Sequence, residues 1–208
     1  MAAGNTSFAT NEVLKTIHSR RSVRNFIPDR DVADRDITAI LEAANQAPSA
    51  HNQQSWRFIV LRGSKKDGLV GLVESKAAAF PRPACALLRM ACRSIASAST
   101  VIAVANSGEL IRRGPRLFAV DQKEVLDFFR IMEIQSSAAA VQNMLLAATS
   151  LGLGSVWLGI LILIKDEVLD FLGEPQGEFM AIVPVGFSLR PGHAPKKQSL
   201  ETCVKYLS

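Results

Sequence analysis

Apolar positions recur along this chain in two rhythms, one helical and one extended. Val13, Leu14 and Ile17 give helical spacing to residues 11–19. Ile37, Ile40, Leu41 and Ala44 do the same for a segment that opens at Asp34, a plausible N-cap, and ends before Pro48. "WRFIVLRG", 56–63, is a short β-rich run closed by Gly63. Residues 64–79 and the alanine-rich, basic stretch 81–99 read as helices. "TVIAVAN", 100–106, is uninterrupted enough to be a buried strand. "GELIRRGPRLFAV", 108–120, shows no clear period and reads as a loop or lid. Asp121 opens a long helix to about Leu151; "GSVWLGIL", 154–161, is strand-like. "KDEVLDFLG" is a helix with Gly173 at its end, and "EFMAIVPVGF" is a strand. A Pro/Gly/Lys-rich connection and a short tail follow. Helices come first, then strands separated by helices, which is the order of an α/β or α+β layered domain. No repeat or linker divides residues 11–208; the first ten residues are expected to be flexible.

Bulk properties narrow the function classes. The 208 residues carry a net charge of +5 with a pI near 9.4, which suits an anionic ligand. The basic residues are scattered and there is one Tyr, so a nucleic-acid stacking platform is disfavoured. No charge interrupts Ile134 to Ile164, a length that could span a bilayer. Gln135, Ser136, Ser137, Gln142 and Asn143 crowd its first third, however, and Gly152 and Gly154 cut it. A buried helix, a glycine turn and a buried strand fit better. Cys85, Cys92 and Cys203 form no C-x-x-C, so neither a disulfide framework nor a zinc site is indicated. Buried thiols and a reducing, cytoplasmic compartment are the expectation. His18, His51 and His193 lack metal-ligand spacing, and no metal is expected.

The common cofactor signatures are absent. There is no P-loop and no nucleophile elbow, and the third glycine of a dinucleotide fingerprint would fall at Trp157. Four separated segments remain. "HSRRSVRNF" packs Arg20, Arg21 and Arg24 with Ser22; guanidinium forks and a hydroxyl suit a phosphate, although a solvated basic turn has the same composition. "APSAHNQQSW" follows a helix end with Pro48 and Ser49, then offers the amides of Asn52 and Gln54. Such groups match the alternating edge of a flat heterocycle, or an ordinary polar loop. "AATSLGLGSVWLG" ends in Leu158-Gly159, where glycine admits a ligand close to the backbone. "APKKQSLE" adds two late lysines, which could complete a phosphate site or be solvated.

Together these segments resemble the FMN-dependent nitroreductase family in kind and order. They match R-R-S-x-R near the start, P-S-x-x-N-x-Q-P-W, A-x-x-L-G-L-G-x-x-W-x-G, and a basic residue before the C-terminus. The stretch "MEIQSSAAAVQNMLLAATSLGLGSVWLG" is similar to the family's central helix and following strand. The resemblance covers roughly residues 11–207. It implies an α+β fold: a three-layer α/β/α sandwich with a mainly antiparallel sheet, in an intertwined homodimer with FMN at the interface. Arg20, Arg21 and Ser22 would hold the phosphate and ribityl region. Arg24 would sit near N1 and the C2 carbonyl, where a fixed cation favours the charge of reduced flavin. Pro48, Ser49, Ala50 and Asn52, with Gln54 in the same loop, would come from the other subunit. Leu158 and Gly159 would bring backbone N–H groups to N5, and Lys197 would bind phosphate. Ser55 departs from the usual proline before the tryptophan, and Lys197 stands where arginine is common.

The implied activity is an oxidoreductase, with NADH or NADPH as co-substrate. Nitroaromatics, quinones or similar conjugated acceptors would be reduced by a ping-pong mechanism. No catalytic side chain is needed, because the flavin carries the hydride. Phe118, Phe128 and Phe129 are candidates to stack on substrate, or to fill the core. A same-fold enzyme for one metabolite, or a non-catalytic flavin sensor or store, are the alternatives.

Overall fold

The computed structural model describes residues 11–118, 122–190, 192 and 194–207. The first ten residues, Asp121 and His193 lie outside them. In chain order the helices are α1 (Glu12–Ser19), α2 (Asp34–Asn45), α3 (Gly63–Ala77), α4 (Arg82–Ser97), α5 (Glu109–Phe118), α6 (Gln122–Ser150) and α7 (Lys165–Leu172). The strands are β1 (Trp56–Leu61), β2 (Thr100–Asn106), β3 (Gly154–Ser155) and β4 (Glu178–Gly186). They form one antiparallel sheet in the order β1-β2-β4-β3.

Helices cover both faces of the sheet, giving three layers. Alternation along β2 sends Val101, Ala103 and Ala105 toward α3, α4 and α7. Ile102 and Val104 point the other way, toward α2 and α6. Every residue of β2 is buried, which explains its uninterrupted apolar run. A bulge in β4 follows from the register: Val104 pairs with Ala181 but Ala105 pairs with Phe179, leaving Met180 over. Among the described residues no helix is long and apolar enough to cross a membrane.

Four sequence expectations are corrected. Residues 108–120 do not form a loop; α5 occupies most of them. Gly114 and Pro115 obscure the helical signal, but Leu110 and Gly114 face the core while Glu109, Arg112 and Arg113 share the outer side. Glu109 is bridged by both arginines, and the Arg112 hydrogen bond holds its carboxyl below the usual range. The strand expected over 154–161 is only two residues long. Leu158 adds an isolated bridge to Ile182, and Ile160–Ile164 is a 3-10 helix. At the start of α2 the N-cap is Ala33, and Asp34 is the first helical residue, where its charge complements the helix dipole. Of the thiols, Cys92 is buried and Cys85 half-buried, but Cys203 is exposed.

Candidate functional site

The arginine cluster is built where α1 ends. Asn11 caps the helix, its Oδ1 accepting from the Leu14 N–H at 3.1 Å. At Arg20 the backbone leaves helical geometry, with ψ 135°. Arg21 closes that end: its Nη1 donates to the carbonyls of His18 and Arg20, each at 2.7 Å. The chain then runs extended beside β3. Ser22 bridges to Ser155, and the Val23 N–H donates to the Ser155 carbonyl at 3.0 Å. In extended backbone, alternate residues share a side, so Arg20, Ser22 and Arg24 are presented together while Val23 turns toward Gly154.

A cavity of about 550 Å³ opens on that side, and Arg20, Arg21, Ser22, Arg24 and the distant Lys197 all line it. Among the described residues no carboxylate lines it. Among the described residues the guanidinium groups of Arg20 and Arg24 and the Lys197 ammonium form no ion pair or hydrogen bond within the chain. Three uncommitted cations beside a serine hydroxyl form a donor set that fits a phosphate-bearing ligand such as FMN. Arg21 is different, because its Nη1 is already bonded to two backbone carbonyls.

The second segment lies elsewhere in the chain. Residues 48–54 do not line the cavity. Ala50 packs beside Leu110 and Phe129 and donates its N–H to Ser136 Oγ at 3.1 Å. Ser49 Oγ accepts the Gln54 N–H, and Gln54 Nε2 donates to Asn52 Oδ1, both at 3.1 Å. Pro48, Asn52 and Gln54 are exposed. His51, Asn52 and Gln54 hold φ of 53°, 52° and 50°, three left-handed non-glycine residues in four positions. Each such residue costs on the order of 1 kcal/mol, and such strain gathers at binding sites.

At the third segment the two backbone N–H groups differ. Leu158 donates to the Ile182 carbonyl at 2.9 Å, so its N–H is committed to the sheet. Gly159 is exposed, and its N–H has no acceptor among the described residues. Of the aromatic candidates, Phe128 is 51% exposed, whereas Phe129 is buried and meets it edge-on at 5.2 Å. Phe129 is therefore core. The side chain of Phe118 lies outside the described residues.

Three contributors escape the sequence reading. Ile17 and His18 line the cavity from the last turn of α1. Ser136 fixes the 48–54 loop from α6. Its signal was present: a polar pair, Ser136-Ser137, just before the apolar Ala140, Val141 and Met144, all of them buried.

Comparison with known proteins bears on the family and the fold. The nitroreductase family model matches residues 17–187. A protein of Archaeoglobus fulgidus, whose assigned name is NADH dehydrogenase/NAD(P)H nitroreductase, is 36% identical over 149 residues, 72% of this chain and 68% of its own. A nitroreductase of Desulfitobacterium hafniense, solved with bound FMN, superimposes with a TM-score of 0.69 at 25% identity, covering 95% of this chain and 99% of that one. CinD of Lactococcus lactis, solved with chloramphenicol, gives a TM-score of 0.78 at 19% identity over 94% and 99% of the two chains; this likeness concerns the fold. The chain is an α+β protein with a cavity lined by basic side chains at the edge of its sheet. It belongs to the nitroreductase family.

Proposed function

We propose that the protein is an FMN-dependent oxidoreductase that passes electrons from NADH or NADPH to nitroaromatic, quinone or similar conjugated acceptors. The observation that carries this reading is the cavity in which Arg20, Ser22, Arg24 and Lys197 converge, with no carboxylate among the described residues that line it. Bound FMN supplies the hydride chemistry at its N5 atom. The chain's own residues bind, orient and tune. Arg20 and Lys197 neutralise the phosphate, and the Ser22 hydroxyl adds a hydrogen bond. Arg24 provides a fixed cation for the pyrimidine edge, and Gly159 offers its unused N–H near N5. Arg21, which also lines the cavity, holds the end of α1 through its Nη1 and keeps its other N–H groups for the phosphate and ribityl region.

Pro48, Ser49, Ala50, Asn52 and Gln54 are too far around the chain to line that cavity, yet their exposed amides and strained backbone suit ring recognition. A second copy supplies this loop, so the working unit is a homodimer with FMN at its interface. Because one pocket receives nucleotide and acceptor in turn, kinetics are ping-pong.

The test is the visible spectrum of the purified protein, with and without added FMN, before and after anaerobic NADH or NADPH. A flavin spectrum that bleaches supports the proposal. A flavin that stays oxidised favours a sensor or store. No flavin binding at all rejects the assignment of the cavity.

A further inference from the structure

Helix α4 carries a row of exposed arginines. Its inner side buries Leu88, Ala91, Cys92, Ser94 and Ile95. Arg82, Arg89 and Arg93 stand at i, i+7 and i+11, which places them in one line along the outer side. Among the described residues none of the three forms an ion pair or hydrogen bond. From Ser75 to Gly108 the sequence holds Lys76 and these arginines and no acid. Glu74 of α3 lines a concavity of about 300 Å³ with Arg89, Cys92 and Arg93. Its single negative charge is outweighed there by two guanidinium groups.

Apolar side chains accompany the row. Leu87 and Met90 lie on the outer side of α4. Ile162 and Leu163 lie on the 3-10 helix Ile160–Ile164, whose Leu161 and Ile164 share a core cluster with Leu88, Ala91 and Ile95 of α4. All four are between 36% and 53% exposed. Apolar residues scattered singly over a surface need no explanation. Four on two adjoining elements, with three unpaired arginines, form a surface of mixed character. A small soluble anion would satisfy the arginines and leave the apolar side chains in water. An anionic bilayer satisfies both: its headgroups supply fixed negative charge, and the acyl boundary beneath them takes apolar side chains.

We propose that the outer side of α4, together with the 3-10 helix, docks on an anionic lipid surface. The contact is peripheral, since among the described residues no helix is long and apolar enough to cross a membrane. Both elements adjoin segments of the candidate site. Ser97 Oγ, at the end of α4, accepts the Phe26 N–H at 3.4 Å, two residues beyond Arg24. The Ile162 N–H donates to the Gly159 carbonyl at 3.1 Å. Docking would bring these segments toward the bilayer, where lipid-soluble quinones, within the acceptor class proposed above, are dissolved. The docking itself does not rest on the oxidoreductase reading.

The experiment is flotation of the full chain with vesicles of phosphatidylglycerol and phosphatidylcholine in equal parts, and with vesicles of phosphatidylcholine alone. The chain should float with the anionic vesicles only, and less as salt rises. Arg89→Ala/Arg93→Ala should weaken that affinity by about thirtyfold, the scale for two basic residues near an anionic surface. Lys15→Ala/Arg35→Ala removes the same charge from other helices and should leave it unchanged. Leu87→Gln/Ile162→Gln should weaken it by about tenfold, through lost apolar burial. All of these side chains are exposed, and circular dichroism checks that each variant is folded. No flotation, or equal flotation with both vesicles, would overturn the proposal. Equal loss in the two charge variants would assign the binding to net charge and overturn it too. Loss in Arg89→Ala/Arg93→Ala with none in Leu87→Gln/Ile162→Gln would make the face a site for an acidic protein and overturn the bilayer assignment. Flavin reduction is not read here, so failure of the oxidoreductase reading would show separately, in the nucleotide test above.

Discussion

Gly154 lies so close to Val23 that a Cβ added to it would stand 2.8 Å from Val23 Cγ1. This contact seats the arginine segment on β3, because Val23 is the inward residue between Ser22 and Arg24. Gly154→Ala should push residues 20–24 outward. Overpacking of this kind costs about 1–3 kcal/mol, and FMN affinity should fall by at least tenfold. Titration followed by flavin fluorescence would measure it, and unchanged affinity would mean that Val23 does not set the cavity.

Arg20 and Arg24 share a side of the segment but are assigned different parts of the ligand. Arg20→Ala should chiefly weaken FMN retention, by roughly the 1.5–3 kcal/mol of a hydrogen bond to a charged group. Arg24→Ala should retain flavin better and slow its reduction. Dialysis stability and anaerobic stopped-flow reduction separate the two. Identical behaviour of the mutants would refute the division.

Trp56 is buried, and its indole N–H donates to Asn45 Oδ1 at 3.0 Å, tying β1 to the end of α2 just before the 48–54 loop. Asn45→Ala leaves that donor without its partner. It should destabilise the fold by about 1–3 kcal/mol. Each kcal/mol lowers the thermal midpoint by roughly 2–4 °C in a chain of this size. Calorimetry would show whether the midpoint moves.

Burial, and next the charge of Glu74, push the Cys92 thiol up to about 11. At pH 8 a thiol reagent should modify exposed Cys203 first, half-buried Cys85 more slowly, and Cys92 only on unfolding. The sign for stability follows from the raised value. The folded state favours the neutral thiol, so this contribution is whole below the unfolded pKa of 9.0. It is lost as pH rises from there toward 11. Cys92→Ala should flatten alkaline destabilisation in that window; an unaltered curve would assign the effect to other groups.

Helices α1, α2, α3, α4, α6 and α7 and the central strands were legible because their side chains repeat at 3.6 or 2 residues, which is local information. The arginine cluster, the 48–54 loop, Gly159 and Lys197 were legible as residue types in order. Leu158 was not separable from Gly159, since only pairing with Ile182 decides which N–H stays free. Nor was α5 legible: Gly114 and Pro115 weaken it locally, and packing against Phe129 together with the Glu133 carboxylate holds it in place.

By itself the sequence determined most of the helical and extended segments, α5 and residues 156–161 excepted, and which side chains are available to a phosphate or a flat ring. Tertiary structure alone decided that Lys197 and Arg20 line one cavity across nearly the whole chain, while residues 48–54 do not line it. The physical reason is range. Backbone periodicity is fixed by neighbours a few residues apart. A cavity is fixed by contacts between residues far apart in sequence, whose pairing no local pattern records.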